Sequence, residues 1–353
     1  MSKLILPGLI DPHVHLREPG NTQKEDFYTG TTAALAGGYT TIMDMPNNNP
    51  PATTLERIEE KISLAKKKIV CDVGFHFGSL GDNLNEFSKV KHKVIGLKLY
   101  FNQTTGGYVI PKEKARKVFQ KWPRNKIILI HVEDEIFDFI LDLAKEFGNR
   151  IHICHVAQKE QLKKIIKAKE KRLSVTCGVT PYSLFLTRDD LEGLGPFGLI
   201  KPPLRTKEDQ DFLWANLPYI DVIESDHAPH TVEEKKSASP PWGIPGVETT
   251  LPILLTAIYH GRLTINQLTK LCFENPAKIF GIKTDPKTKI EIDTDKEWTI
   301  RNKNLFTKAK WSPFNNWKVK GKVIKVFIRG KKVFENGKIL VKPGFGKIVP
   351  NRQ

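Results

Sequence analysis

The sequence is poor in cysteine and has no long apolar run. Only four cysteines occur in 353 residues, and no two of them form a Cys-x-x-Cys pair. Their spacing argues against a disulfide framework and a zinc ribbon, so reduced thiols are expected. No apolar run approaches the roughly 20 residues that span a bilayer, and no basic segment precedes an apolar signal segment at the N-terminus. We therefore expect a cytoplasmic protein without a membrane partner.

Acidic residues are also few compared with basic ones. The sequence has 39 aspartates and glutamates against 56 lysines and arginines, which gives a net charge of +17. Such a charge raises the question of nucleic-acid binding. The most lysine-rich segment, 159–172, carries Leu162, Ile165 and Ile166 at helical spacing, so its lysines are expected on the solvated face of a helix. No zinc finger or aromatic-rich basic patch is present. We expect no nucleic-acid partner, and a field that steers a small anionic substrate explains the charge equally well.

Short apolar runs alternate with longer amphipathic segments along most of the chain. The predicted strands are 9–15, 39–45, 70–77, 94–100, 126–131, 150–155, 173–176 and 219–225. The predicted helices include 53–68, 112–122, 134–147, 159–169 and 207–216. Eight βα units in a chain of this length favour a (β/α)8 barrel over a doubly wound sheet. The segment that carries helix 207–216 is expected to cover the barrel mouth.

The composition of the sequence changes after Gly281, where it becomes rich in lysine and threonine and typical of β-strands. Strands are predicted at 323–328 and 332–335, followed by the hairpin pair Asn336-Gly337. We predict a barrel over residues 8–281. Residues 282–353, with a contribution from residues 1–7, are predicted to form a small β appendage.

Two histidines, His13 and His15, stand two residues apart directly after an apolar run. Alternate residues of a strand point to the same side, so both rings could reach one metal ion. A lone His-x-His pair is about as often an ordinary strand feature whose rings meet solvent or neighbouring residues.

Other polar residues stand at the ends of further predicted strands. They are Lys98, His131, His155, Asp226 and His230. In a barrel, function sits at the carboxyl ends of the strands. Each residue alone has an ordinary explanation, such as a hydrogen-bonded histidine or, for Asp226, a helix cap. Their joint occurrence favours a metal site.

Lys98 is the most diagnostic of these residues because it interrupts an apolar strand. An ammonium there would be repelled by nearby metal ions. Reaction with carbon dioxide removes that conflict, since the carbamate is an anion that can bridge two ions roughly 3.5 to 4 Å apart. Without the histidines, a lysine that extends to the barrel mouth would be the better interpretation.

These motifs resemble those of the dihydroorotases, in the cyclic-amide branch of the amidohydrolase superfamily. The matching segments are PGLIDPHVHLREPG at 7–20, DMPN at 44–47, GLKLY at 96–100, HICHVA at 152–157 and SDHAPH at 225–230, together with His131. They follow one another in the family's order and cover essentially the whole barrel. The resemblance implies a TIM barrel of the metallo-dependent hydrolase type.

The resemblance also implies a centre of two divalent metal ions, with zinc as the expected metal. The implied ligands are His13, His15 and Asp226 for one ion, His131 and His155 for the other, and carboxylated Lys98 as the bridge. A bridging hydroxide would attack the ring amide of (S)-dihydroorotate, and Asp226 would pass its proton to the leaving nitrogen. The product is N-carbamoyl-L-aspartate, and the reverse condensation is the third step of de novo pyrimidine biosynthesis.

Six further residues are implied in substrate binding. They are Arg17 for the carboxylate, Asn47 and His230 for hydrogen bonds, Thr104 in a lid formed by 104–107, and Pro245 and Gly246 in a loop against the ring. Taken singly, Arg17 could form a surface ion pair, Asn47 a turn, and 104–107 an ordinary glycine-rich turn.

Three positions depart from the family pattern or stay without a role. Glu224 is in phase with Asp226 and is predicted to be an outer partner of the metal site. Cys154 is out of phase with His155 and is not assigned to metal. Gly178 stands where a carboxylate could have supported a further ion.

Two other functions are left open. One is an allantoinase or hydantoinase that shares the metal ligands. The other is a non-catalytic dihydroorotase-like scaffold for aspartate transcarbamoylase, which the completeness of the ligand set disfavours. The segment before the first barrel strand is short for the family, which leaves the appendage and assembly through it open, including a homodimer.

Overall fold

The strands form two sheets in the computed structural model, which describes residues 3–105 and 108–349. Their bounds are β1 Lys3–Pro7, β2 Leu9–Val14, β3 Tyr39–Asp44, β4 Asp72–Gly78, β5 Gly96–Tyr100, β6 Ile128–His131, β7 Ile151–Ile153, β8 Val175–Val179, β9 Val222–Ile223, β10 Lys289–Thr299, β11 Lys318–Ile328, β12 Lys331–Glu335 and β13 Lys338–Ile339. Strands β2 to β9 pair in sequence order, all parallel. A bridge between Val14 and His227 links the two edges of this sheet. The predicted (β/α)8 barrel is confirmed.

Helices connect these strands and pack around the barrel. Their bounds are α1 Phe27–Ala36, α2 Leu55–Lys68, α3 Phe87–Val90, α4 Lys112–Lys121, α5 Phe137–Phe147, α6 Lys159–Glu170, α7 Pro181–Phe185, α8 Leu191–Leu194, α9 Lys207–Ala215, α10 Val232–Lys235, α11 Thr250–Tyr259, α12 Ile265–Thr269 and α13 Asn275–Phe280. The lysine-rich helix α6 buries Leu162 and Ile165. Its lysines stay outside the core, as the helical spacing predicted.

The second sheet is antiparallel, in the order β1-β10-β11-β12-β13. The N-terminal residues supply one edge strand, β1, and the C-terminal segment supplies the other four. Ile290 and Val323 of this sheet share one apolar core with Leu251 of α11. Because the two sheets share a core, the division at residues 8 and 281 stays a prediction.

The segment between β8 and β9 differs in part from its expected position over the barrel mouth. Helix α9 packs against α6 and α7, and Asp209 accepts a hydrogen bond from the backbone of Lys159 at 2.9 Å. Lys201, from the same segment, lines the cavity at the mouth. In the part of the chain that the structure describes, no helix combines the length and the apolar character needed to cross a membrane.

A buried ion pair fixes the chain at the end of β3. The Nζ atom of Lys61 lies 2.7 Å from Oδ2 of Asp44, and both side chains are 1% exposed. Nζ also donates to the Met45 carbonyl at 2.9 Å, and Asp44 accepts from the backbone N–H of Leu16 at 2.8 Å. The pair therefore joins α2 to the segments that follow β2 and β3.

Replacing Lys61 with methionine is expected to destabilise the protein by about 3–5 kcal/mol, because Asp44 would stay buried without its counter-ion. Urea unfolding measures the loss. Lys89→Met, which removes an exposed partner of Glu86, is the control and should cost less than about 1 kcal/mol. Equal, small losses in both variants would contradict this role for the pair.

Candidate active site

The carboxyl ends of five barrel strands bring the six predicted metal ligands to one end of the barrel. His13 belongs to β2, Lys98 to β5 and His131 to β6. His15, His155 and Asp226 follow the last residues of β2, β7 and β9. These side chains are buried, apart from Asp226, whose side chain is 13% exposed.

One cluster joins the first and last strands of the barrel. The Nε2 atoms of His13 and His15 lie 3.3 and 3.2 Å from the same oxygen, Oδ1 of Asp226. Burial lowers the pKa of both histidines, which favours neutral rings with a free lone pair. Burial alone would raise the pKa of Asp226, but His13 and His15 outweigh it and the pKa is lowered. The carboxylate is therefore ionised at neutral pH.

A second cluster lies beside the first. Nδ1 of His131 is 3.0 Å from Nε2 of His155, and burial lowers the pKa of both rings. The ring centroids of His13 and His155 are 5.3 Å apart, which makes the two clusters neighbours. Ligand atoms of His13, His155 and Asp226 all lie within 4.8 Å of one another.

Lys98 is completely buried, and its side chain interacts electrostatically with His13 of the first cluster and with His131 and His155 of the second. Its Nζ atom donates to Sγ of Cys154 at 3.2 Å and lies 4.8 Å from the Tyr100 ring centroid. Within residues 3–105 and 108–349, no carboxylate oxygen approaches this Nζ atom to ion-pair distance. Neutral imidazoles, a carboxylate and a buried lysine without a counter-ion form a donor set that fits divalent metal ions.

Neighbouring polar groups orient two of the candidate ligands. Oδ1 of Asn47 lies 2.7 Å from Nδ1 of His15, so a proton on Nδ1 leaves Nε2 free to bind metal. The Tyr182 hydroxyl donates to Oδ2 of Asp226 at 3.0 Å. Asp226 and His155 have φ angles of 42° and 40°, a left-handed conformation that is rare for non-glycine residues and often marks functional sites.

The predicted carboxylate-binding residue, Arg17, is buried at the edge of the same cavity. Its guanidinium donates to the Pro229 carbonyl at 3.1 Å, and Nη2 lies 3.1 Å from Nε2 of His230. No carboxylate oxygen of the described residues lies within ion-pair distance of Arg17. His230 is itself buried, and its Nε2 is 3.0 Å from the Trp242 carbonyl.

The predicted lid reaches the cavity, where Thr104 and Thr105 are lining residues. Thr105 donates from Oγ1 to the Trp242 carbonyl at 2.8 Å, which connects the lid segment to the opposite rim. The hydroxyl oxygen of Thr104 is buried and has no hydrogen-bond partner among the described residues. Gly106 and Gly107 lie outside the described residues.

Two predicted substrate contacts lie behind the cavity wall. Pro245 and Gly246 are buried and are not among the residues that line the cavity. The Gly246 N–H donates to Nδ1 of His227 at 3.2 Å. A Cβ atom at Gly246 would lie 2.7 Å from the Ser225 carbonyl, so glycine allows this close approach. The role of the pair in binding stays a prediction.

The cavity also contains residues that were not predicted from the sequence. They are Tyr100, Lys201, Ala228, Trp242 and Gly243. Lys201 lies 5.1 Å from the Trp242 ring centroid, which adds a second cation to the rim that carries Arg17. Tyr100 is the last residue of the GLKLY motif, so its place at the cavity could have been predicted from the sequence. Lys201, Trp242 and Tyr182 belong to no motif that would have predicted their positions.

Comparison with known proteins supports this description. The Amidohydrolase family model matches residues 4–177. The chain is 46% identical to the multifunctional protein CAD of Squalus acanthias, over 98% of the chain but only 16% of that protein. It is 38% identical to the dihydroorotase of Pyrococcus horikoshii, over 98% of the chain and 85% of that protein.

Two solved structures have the same fold. The L-hydantoinase of Arthrobacter aurescens matches with a TM-score of 0.93 and 28% identity, over 99% of this chain and 89% of that one. The inactive dihydroorotase-like domain of the CAD-like protein of Chaetomium thermophilum matches with a TM-score of 0.85 and 29% identity, over 99% of both chains.

The barrel and its cluster of imidazoles and a carboxylate place the chain among the amidohydrolases, a family in which divalent metal binding is expected. Within that class, the match to 85% of the Pyrococcus horikoshii dihydroorotase identifies the family of this chain more narrowly. The chain belongs to the dihydroorotase family.

Proposed function

We propose that the chain is a dihydroorotase, which hydrolyses (S)-dihydroorotate to N-carbamoyl-L-aspartate and catalyses the reverse cyclisation in pyrimidine biosynthesis. The observation that carries this proposal is the buried guanidinium of Arg17, which has no carboxylate partner among the described residues. A buried charge without a counter-ion is costly, so a ligand that supplies a carboxylate is favoured there. The carboxylate of dihydroorotate meets that requirement beside a complete set of candidate metal ligands.

Two divalent metal ions, expected to be zinc, would be held by the six residues of the two clusters. They are His13, His15 and Asp226 for one ion, His131 and His155 for the other, and Lys98 between them. When bound, the ions supply an activated water and polarise the ring carbonyl. The unprotonated Lys98 amine would add to carbon dioxide and release a proton to solvent, and the resulting carbamate would supply anionic oxygen ligands for the ions.

The chain's own residues would position the substrate and move one proton. Arg17 and His230 bind the carboxylate, and Lys201 adds positive charge at the rim. Asp226, ionised at neutral pH, accepts a proton as water adds to the ring carbonyl. It returns that proton to the ring nitrogen as the C–N bond breaks. The Tyr182 hydroxyl restricts the carboxylate to one orientation during this transfer.

A substrate panel tests this assignment against the other cyclic amidohydrolases. The purified chain should hydrolyse dihydroorotate and show little turnover of hydantoins, allantoin or dihydrouracil, none of which has a carboxylate for Arg17. Turnover of hydantoin or allantoin without turnover of dihydroorotate would reject the proposal and favour an allantoinase or hydantoinase instead.

A non-catalytic scaffold for aspartate transcarbamoylase is the second candidate, because one matched structure is an inactive dihydroorotase-like domain. A scaffold is free to lose ligands, whereas all six positions are suitable here. We propose a cytoplasmic enzyme whose association with aspartate transcarbamoylase or with a second copy is separate from its chemistry. Light scattering with and without that enzyme measures both kinds of assembly.

Arg17→Met is expected to lower kcat/KM for dihydroorotate by about tenfold to a hundredfold, because a hydrogen bond to a charged group is worth about 1.5–3 kcal/mol. The effect should fall mainly on KM. Lys24→Met removes a neighbouring cation, 3.2 Å from Nδ1 of His230, that does not line the cavity. Steady-state kinetics should show a smaller loss for this control, and equal losses would contradict a specific contact with the carboxylate.

A further inference from the structure

Glu224 is a fully buried carboxylate that lies next to the two clusters of candidate metal ligands. It follows β9, two residues before Asp226. In the part of the chain that the structure describes, no lysine or arginine nitrogen lies within ion-pair distance of it. Its neighbours are instead two histidine rings and one backbone N–H group. A buried carboxylate in this position needs an explanation other than a salt bridge.

The first contact of Glu224 is with the ring of His13. Nε2 of His13 faces Asp226, and its Nδ1 lies 3.5 Å from Oε2 of Glu224. Among the described residues neither of these two atoms makes a hydrogen bond of normal length, although Oε2 has a similar contact of 3.4 Å with Nε2 of His152. Closing this gap by a few tenths of an ångström would place the proton on Nδ1 and leave the Nε2 lone pair for a metal ion. Asn47 has the same relation to His15 at 2.7 Å.

The second contact is with the backbone of His155. The His155 N–H donates to Oε1 of Glu224. Since His155 has a φ of 40°, this hydrogen bond helps to hold a conformation that its residue type seldom adopts. Glu224 thus contacts one candidate ligand from each metal cluster.

The remaining side of the carboxylate is enclosed by the barrel interior. Nε2 of His152 is 3.4 Å from Oε2, and Nδ1 of His152 lies 2.9 Å from the Thr176 hydroxyl. A Cβ atom built on Gly178 would lie only 2.5 Å from Cδ and Oε1 of Glu224. The glycine in β8 therefore leaves the space that the Glu224 side chain fills.

We propose that Glu224 is a positioning residue for the metal centre, which orients the His13 ring and fixes the His155 backbone so that one ligand of each ion is in place before metal binds. The inference rests on the proposed function, because it assumes that the two clusters bind metal. The proposal also explains why a glycine stands opposite Glu224. Gly178 in β8 leaves the space that the Glu224 side chain, which follows β9, occupies.

The test measures metal binding rather than activity alone. Glu224→Gln keeps the shape but replaces an acceptor with an N–H donor facing His13. We expect about a tenfold to hundredfold loss of zinc affinity, the range typical of such outer partners, and an altered absorption spectrum of the cobalt-substituted protein. Thermal unfolding of the metal-free proteins checks that the variant folds. Glu248→Gln, which alters another acidic side chain that accepts backbone N–H groups, should leave affinity and spectrum unchanged.

A relocated carboxylate separates positioning from simple loss of packing. Glu224→Ala should lose metal affinity at least as strongly as Glu224→Gln. In Gly178→Asp/Glu224→Ala the new carboxyl carbon would sit about 1.5 Å from a Cβ atom that points into the vacated space. We expect this double variant to recover at least tenfold in zinc affinity over Glu224→Ala. Gly178→Asp alone should be destabilised by the clash.

Several outcomes would overturn the inference. Wild-type zinc affinity and cobalt spectrum in Glu224→Gln would do so, as would failure of the double variant to recover affinity although it folds. A third tightly bound ion that is lost in both Glu224→Gln and Cys154→Ser would make Glu224 a ligand instead, since His13, Cys154 and Glu224 also converge. If Glu224→Gln matches the wild type, and the wild type binds two ions and turns over dihydroorotate, only this inference fails. If the wild type binds no ions, the proposed function fails as well.

Discussion

Replacing Lys98 with alanine is expected to lower kcat/KM for dihydroorotate by about a thousandfold or more, because under the proposed assignment two metal ions would lose the anionic ligand that they share and with it their charge stabilisation of the reaction. The metal content of the purified variant should fall as well. The expectation follows from the position of Lys98, which is fully buried and interacts electrostatically with members of both ligand clusters. Steady-state kinetics and metal analysis of the same sample measure both effects.

Lys126→Ala is the matched control for this loss. Lys126 is also completely buried, and its Nζ donates to the Val94 carbonyl at 2.9 Å, away from the cavity. This variant should lose stability but keep its metal content per folded chain. If Lys98→Ala retains two ions and its activity, the carbamate assignment is wrong. Carbon NMR of wild type supplied with labelled bicarbonate should show one carbamate signal that is absent from Lys98→Ala.

Asp226→Asn is expected to lower kcat by about 10²–10⁴-fold in both directions, since a positioned proton carrier is lost. The amide can still accept the hydrogen bond from Tyr182, so the local fold should survive. Because the amide cannot accept a proton, added metal should restore occupancy without restoring kcat. Rapid kinetics at saturating zinc measures this difference.

Asp221→Asn provides the comparison for Asp226. Asp221 precedes the same strand, β9, and pairs with Lys169 outside the cavity. A near-normal kcat in this variant would show that the effect is specific to position 226. If saturating metal restores the activity of Asp226→Asn, the role of Asp226 is confined to metal binding and the proton must travel by another route.

Much of the barrel could be predicted because its strands are short apolar runs between amphipathic helices. All eight predicted strands are present, but their ends differ for physical reasons. The strand predicted at 150–155 stops at Ile153, because His155 turns into a left-handed conformation to direct its ring into the cavity. The strand predicted at 219–225 is observed only as Val222–Ile223. Asp226, three residues after its end, also has a left-handed backbone conformation.

Strand β10 could not be located from the sequence as a separate element. Its residues, KIEIDTDKEWT, include several with low preference for strands. Its first residues, Lys289–Asp293, pair with β1 on one side and β11 on the other, and Ile290 and Ile292 contribute to the shared core. Pairing with distant partners outweighs local preference here.

The candidate ligands could be predicted because each lies at or just after the carboxyl end of a strand, and all of them except His131 belong to a motif. Lys201, Trp242 and Tyr182 come from connecting segments, where no periodicity or motif shows which side chains turn towards the cavity. The contact of Glu224 with His13 depends on the empty space over Gly178, a relation between two strands that only the folded structure makes visible.

The central claim is that this chain interconverts dihydroorotate and N-carbamoyl-L-aspartate at a two-metal site. Its most direct test is the rate of both reactions on the purified chain alone, with metal content determined on the same sample. We predict turnover in both directions, two divalent ions per chain, and loss of both on treatment with a chelator. Two bound ions without turnover in either direction would contradict the claim.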